Sequence, residues 1–213
     1  MHNHHMACHV SGCGQLRTRR GRYCRHHARR LNNYGSPYGR PLPRSFLAEY
    51  VAQARRILLA NAEHAGVSLA LRELQDKLND ASDRAREGLA LTRSDQHWSR
   101  LAGHNVSPLD ILSVAAGVVL YDRADPRFFA RNNSFAFAIA RAVLSLAPRG
   151  DMPMGSQTLQ AIGGHLVERY SALVLAVEKA AKQTEADEAA RKKAMETPMR
   201  PAPINPTSIQ ERQ

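Results

Sequence analysis

Cys8, Cys13, Cys24 and His27 have the spacing C-x4-C-x10-C-x2-H, and they include every cysteine of the chain. Thiolate and imidazole are the ligands that zinc holds in a tetrahedron. Two close pairs joined by a loop of about ten residues suit that geometry. An odd number of cysteines does not make a disulfide framework, so the cluster reads as metal ligands in a reducing compartment. Gly12 and Gly14 flank Cys13 and free the backbone for a sharp knuckle. Cys24 and His27 are three residues apart and can point the same way from the first turn of a helix. That helix is expected from about Cys24 to Asn33, ending at Gly35. His26 and His9 lie near enough to compete with His27 for the fourth position. Four protein ligands close the coordination shell, which argues for a structural Zn2+ and against zinc catalysis. So short a segment cannot build its own core, and metal would supply its folding energy.

The same segment is strongly basic. Residues 1–45 contain Arg17, Arg19, Arg20, Arg22, Arg25, Arg29, Arg30, Arg40 and Arg44, and the first carboxylate of the chain is Glu49. The whole chain has a net charge of +11, whereas residues 46–213 balance 21 basic against 19 acidic side chains. Charge of one sign gathered in one segment looks like a binding surface for an acidic partner. Arginine grips phosphate with two parallel hydrogen bonds, stacks on bases and reads guanine edges. Together with Tyr34, these arginines are the candidate nucleic-acid contacts. DNA is favoured and RNA is possible, since the same chemistry serves both. The plainer alternatives are a solvated basic face or a surface that docks on an acidic protein.

The stretches Cys8-His9-Val10-Ser11-Gly12-Cys13-Gly14, Gly21-Arg22-Tyr23-Cys24-Arg25-His26-His27-Ala28-Arg29-Arg30 and Tyr34-Gly35-Ser36-Pro37 resemble the small zinc module of many phage and bacterial mobile-element proteins. That module often precedes an HNH endonuclease domain. The resemblance covers residues 6–37. It implies a treble-clef-like zinc finger with ligands Cys8, Cys13, Cys24 and His27. An HNH nuclease would also need a downstream site with a catalytic histidine, an asparagine and a second histidine. Here Gly103-His104-Asn105 is a bare His-Asn pair, read as a loop, and no cysteine follows Cys24.

The elements that must carry this module follow from spacing. Residues 1–37 form the basic zinc module and 38–44 a linker rich in Gly and Pro. Residues 45–197 form a helical domain, and 198–213, with four prolines, a disordered tail. Ser45 is expected to cap a helix with Phe46, Leu47, Tyr50, Val51, Ala54, Ile57 and Leu58 on one face. A second helix starts near Ser68, with Leu71, Leu74 and Leu78 inward. Ser107-Pro108 is a helix start: a capping serine, proline in the first turn, and Asp110 three residues after the cap. The helix that follows, 109–121, is apolar nearly all round and should be the central core element. Asp125-Pro126 opens a short helical turn with Phe128 and Phe129. Asn133 or Ser134 opens a helix over 135–146, stopped by Pro148. Residues 150–155 form a loop, and a final helix spans 156–195, its charged second part projecting into solvent. Tiny strands are plausible only at Gln15–Leu16 and Arg22–Tyr23.

The fold is therefore expected to be mainly α: a small N-terminal zinc finger, then an all-α domain. Trp98 reads as a packing anchor, and His64, His97 and His165 as surface or satisfied core histidines. Gly163-Gly164, within a helical pattern, reads as a site of close helix packing. No glycine-rich phosphate loop between strand and helix is present. The N-terminal residues lack the apolar stretch of a signal peptide, and the longest apolar run is far below the ~20 residues of a membrane span. A cytoplasmic location and no membrane partner are expected. The leading expectation is a non-catalytic zinc-containing nucleic-acid-binding protein, accessory or regulatory, of a phage or mobile element. The helical domain would pack, oligomerise or contact a protein partner. The alternatives are a divergent metal-dependent HNH-like nuclease and a protein-interaction adaptor in a phage–host or defence complex.

Overall fold

A computed structural model describes residues 6–19, 21–129, 134–148 and 154–196. Seven helices occur among them: α1 (Arg25–Tyr34), α2 (Arg44–Ala60), α3 (Ala65–Arg86), α4 (Arg93–Gly103), α5 (Pro108–Ala124), α6 (Ser134–Leu144) and α7 (Ser156–Glu196). The fold is mainly α, as expected. The expected tail, 198–213, lies outside the described residues, as do 150–153 of the expected loop and Asn133. Two compact units are present, Met1–Ala181 and Lys182–Gln213. No single helix among the described residues is long and apolar enough to cross a membrane.

The core of the first unit is built around α5. Its buried residues include Ile111, Leu112, Val114, Ala115, Ala116, Val118, Leu120 and Tyr121. These positions go round the helix, which is why the sequence shows no polar face there. The Ser107 hydroxyl accepts the Asp110 N–H at 3.1 Å and donates to the Asp110 carboxylate at 2.7 Å, closing the expected cap. An Arg55–Asp110 ion pair adds to this corner. Arg55 and the serine bonds hold the Asp110 carboxyl below its ordinary range, against the upward push of burial. α2 crosses α5 so closely that a side chain at Gly117 would meet the Val51 backbone at 2.9 Å. Trp98 is fully buried, with the Lys77 ammonium 5.8 Å from its ring centre and His165 edge-on to it at 6.4 Å.

Several boundaries differ from expectation, each for a physical reason. Pro43, not Ser45, caps α2: Leu47 N–H reaches the Pro43 carbonyl at 3.1 Å. Proline has no N–H to strand at a helix entrance, so the helix begins earlier. Phe46 is exposed and does not share the buried face of Ala54 and Leu58. α3 begins at Ala65 because the His64 ring nitrogen accepts the Gly66 N–H, a cap made by an unusual residue. α4, hidden in a polar stretch, is capped by Thr92, whose hydroxyl accepts the Asp95 N–H at 3.1 Å. Asp125 to Phe129 forms a turn rather than helix, with Phe128 N–H bonded to the Asp125 carbonyl. Among the described residues, in place of strands there is one antiparallel pairing, Ala7 with Leu16.

Candidate metal centre and its basic surround

The N-terminal segment folds as a knuckle, a short ribbon and a helix. The knuckle closes with Cys13 N–H donating to the Val10 carbonyl at 3.0 Å, and Gly12 takes a left-handed φ of 76° to allow it. Gly14 does not adopt such a φ. The ribbon is held by Cys8 N–H to the Gln15 carbonyl, Arg17 N–H to Met6, His9 N–H to Arg22 and Thr18 N–H to Tyr23. Cys24 is the residue that caps α1, so His27 falls in the first turn on the same side. Gly35, at φ 69°, ends that helix by returning its N–H to the Leu31 carbonyl.

These elements bring Cys8, Cys13, Cys24 and His27 together, each offering an atom within 4.8 Å of the others. Cys8 Sγ lies 3.4 Å and Cys24 Sγ 3.3 Å from His27 Nδ1, and Cys13 Sγ lies 4.0 Å from Cys24 Sγ. A tetrahedron with zinc–sulfur and zinc–nitrogen bonds of ordinary length has sulfur–sulfur edges of about 3.8 Å and sulfur–nitrogen edges of about 3.6 Å. The quartet thus fits an ion of that size, while its sulfurs are too far apart for a disulfide. His27 is the histidine of the quartet. His9 stands edge-on to Tyr23, and His26 is exposed, edge-on to the ring of His27.

The site also favours a bound thiolate. Burial pushes the Cys8 thiol up, but the N–H groups of Cys24 and Val10, with His27 and Cys13, outweigh it and bring its pKa down to about 6. Cys24 N–H donates to that sulfur at 3.3 Å. Gln15 lowers Cys13, yet burial and the sulfurs of Cys8 and Cys24 raise it overall. The repulsion from neighbouring sulfurs that raises Cys13 is what a divalent cation would relieve. Among the described residues, this quartet is the one group of three or more His, Cys, Asp or Glu side chains placed to share a metal ion.

The basic residues divide into three sets. Arg19, Arg22, Arg25 and Arg29 are exposed, with Arg25 and Arg29 one turn apart on α1. Arg17 and Arg30 are half-buried. Arg40, although exposed, lies over the Phe128 ring at 4.5 Å, and Tyr34 lies under the guanidinium of Arg141 at 5.3 Å. Arg20 is outside the described residues; Arg44 is the first residue of α2, with its side chain likewise outside them. Arg141 was not read from the sequence as part of this surface. Its signal was present, since it is the single charged residue in the otherwise apolar α6.

The chain matches no family model, no curated protein and no solved structure.

Proposed function

We propose that Cys8, Cys13, Cys24 and His27 hold one structural zinc ion, and that the arginines around them bind nucleic acid. One observation carries the reading. Four side chains close enough to share one metal ion have exposed Arg22, Arg25 and Arg29 beside them, in a segment without any carboxylate. The bound ion would supply folding energy and fix the start of α1. The residues themselves would do the binding: arginine forks on phosphates, with DNA favoured and RNA possible. In this reading the chain is a non-catalytic accessory or regulatory protein of a phage or mobile element. The resemblance of residues 6–37 to the modules of such proteins supports the last step.

Phosphate contacts release counterions, so affinity for duplex DNA should fall steeply as salt rises. Replacing both Arg25 and Arg29 with alanine is expected to weaken binding about 10- to 100-fold and to flatten the salt slope by about 2. Fluorescence anisotropy over a salt series measures both. A wild-type affinity that ignores salt, or a double variant that binds as wild type does, overturns the reading.

A second reading concerns the helical domain. Between α2, α3 and α7 lies a groove of about 460 Å³, lined by Ile57, Val67, Leu69, Ala70, Leu173 and Val177 and edged by the Glu73–Arg169 ion pair. An apolar centre with a charged rim is the anatomy of a protein interface, and Leu69 is half-exposed. We read this face as the contact for a second copy of the chain. Sedimentation equilibrium is expected to show a dimer, and Leu69→Glu a monomer. A wild-type chain that stays monomeric at high concentration removes this reading and leaves the first untouched.

A further inference from the structure

The chain that leaves α1 builds a second feature. Gly35 sits against the face of Phe137, where any side chain would come within 2.8 Å of the ring. Ser36 and Pro37 are buried behind it. This seats the segment 34–42 on α6 and on the turn after α5. A cleft of about 160 Å³ opens there, walled by Tyr34, Arg40, Phe128, Phe129 and Arg141. None of the described residues lining it is acidic. Two guanidinium groups already rest on aromatic faces in it, Arg40 on Phe128 and Arg141 on Tyr34. Ser134, at the start of α6, lines it too, so the positive end of that helix adds to the charge of the two arginines.

Flat rings, guanidinium planes and positive potential in a small slot are the chemistry that receives a nucleotide from a single strand. The volume is well below the roughly 300 Å³ at the lower end of drug-sized sites, so it suits one flat heterocycle and not a base pair. Continuity favours nucleic acid over a free ligand. Tyr34 is the last residue of the helix that carries Arg25 and Arg29, about 14 Å from Arg25 and about 7.5 Å from Arg29 along its axis by helical rise. We propose that the cleft takes one unpaired nucleotide of a nucleic acid bound along α1. The base lies against the aromatic walls, and the adjoining phosphate lies on Arg40 and Arg141. The exposed Arg40 can yield the face of Phe128 to the base and move to the phosphate.

This inference rests on the nucleic-acid reading, and its test separates the two. The full chain is titrated with a blunt DNA duplex and with the same duplex carrying a five-nucleotide single-stranded overhang, at one salt concentration. The overhang is expected to raise affinity about 10-fold, the contribution of one stacked base. Phe128→Ala, and separately Ala142→Met to fill the cleft, should abolish that preference while blunt-duplex affinity stays within about twofold. Circular dichroism identifies a variant that has lost its fold, and the other variant then decides. A wild-type chain that binds both DNAs equally overturns the inference, as does a preference that survives in folded variants. A chain that binds neither DNA overturns the underlying reading instead.

Discussion

Replacing Cys24 with serine is expected to abolish metal binding and to unfold residues 6–34 while the helical core persists. Cys24 has three roles at once. It offers a ligand sulfur, it caps α1, and its N–H donates to the Cys8 sulfur. The apolar core of this segment is only Cys8, Val10 and Cys24, with Cys13 and Tyr23 packed against it. So small a cluster cannot offset the conformational entropy of some thirty residues at about 1–2 kcal/mol each. A structural zinc site contributes about 10–16 kcal/mol to such modules at neutral pH, and most of that disappears with one ligand. Elemental analysis should find one zinc per wild-type chain and none in Cys24→Ser or His27→Ala, with His26→Ala unchanged. Amide resonances of residues 6–34 should collapse on chelation, whereas the buried cluster of α3, α4, α5 and α6 shares no residue with the metal quartet. An N-terminal segment that stays ordered without metal would show that the quartet is not what holds it.

The second large effect is expected at Gly163, where alanine should lower stability by about 3 kcal/mol or more. A β-carbon there would lie 1.9 Å from the Ala136 carbonyl oxygen and 2.5 Å from its carbon. Both atoms belong to the backbone of α6, so relief requires the two helices to move apart. For a chain of this size, that loss lowers the melting temperature by about 6–12 °C. Gly164, the next residue, has nothing within 4 Å of its would-be β-carbon. Alanine there should raise stability by up to about 1 kcal/mol through helix propensity. Thermal melts of the two variants should therefore move in opposite directions. Equal shifts would mean that α6 and α7 do not touch at Gly163.

What was legible in the sequence was local chemistry. The quartet, the Ser107-Pro108 start and the all-round apolar helix after it each carry their signal within a few consecutive residues, and the structure reproduces them. α4 is hard to see in the sequence because His97, Trp98 and Leu101 form its narrow buried strip within an otherwise polar stretch. The start of α3 carries no such signal, because histidine is not among the residues that usually cap helices. The cleft at Tyr34 had no local signature. Arg141 and Phe128 reach it from roughly a hundred residues away, and no spacing rule links them. Gly163 could be read as a packing glycine, but not the carbonyl against which it packs.

The join at the end of α1 has a thermodynamic consequence. Gly35 rests on Phe137 and Tyr34 lies under Arg141, so α6 helps to order the same helix that positions His27. Two sources of order that meet in one element are reciprocally coupled. Whatever loosens α6 would lower the affinity of the quartet for a metal ion, and losing a bound ion would withdraw support from α6. Retention of a metal ion by the quartet would thus report on the integrity of helices that provide none of its ligands.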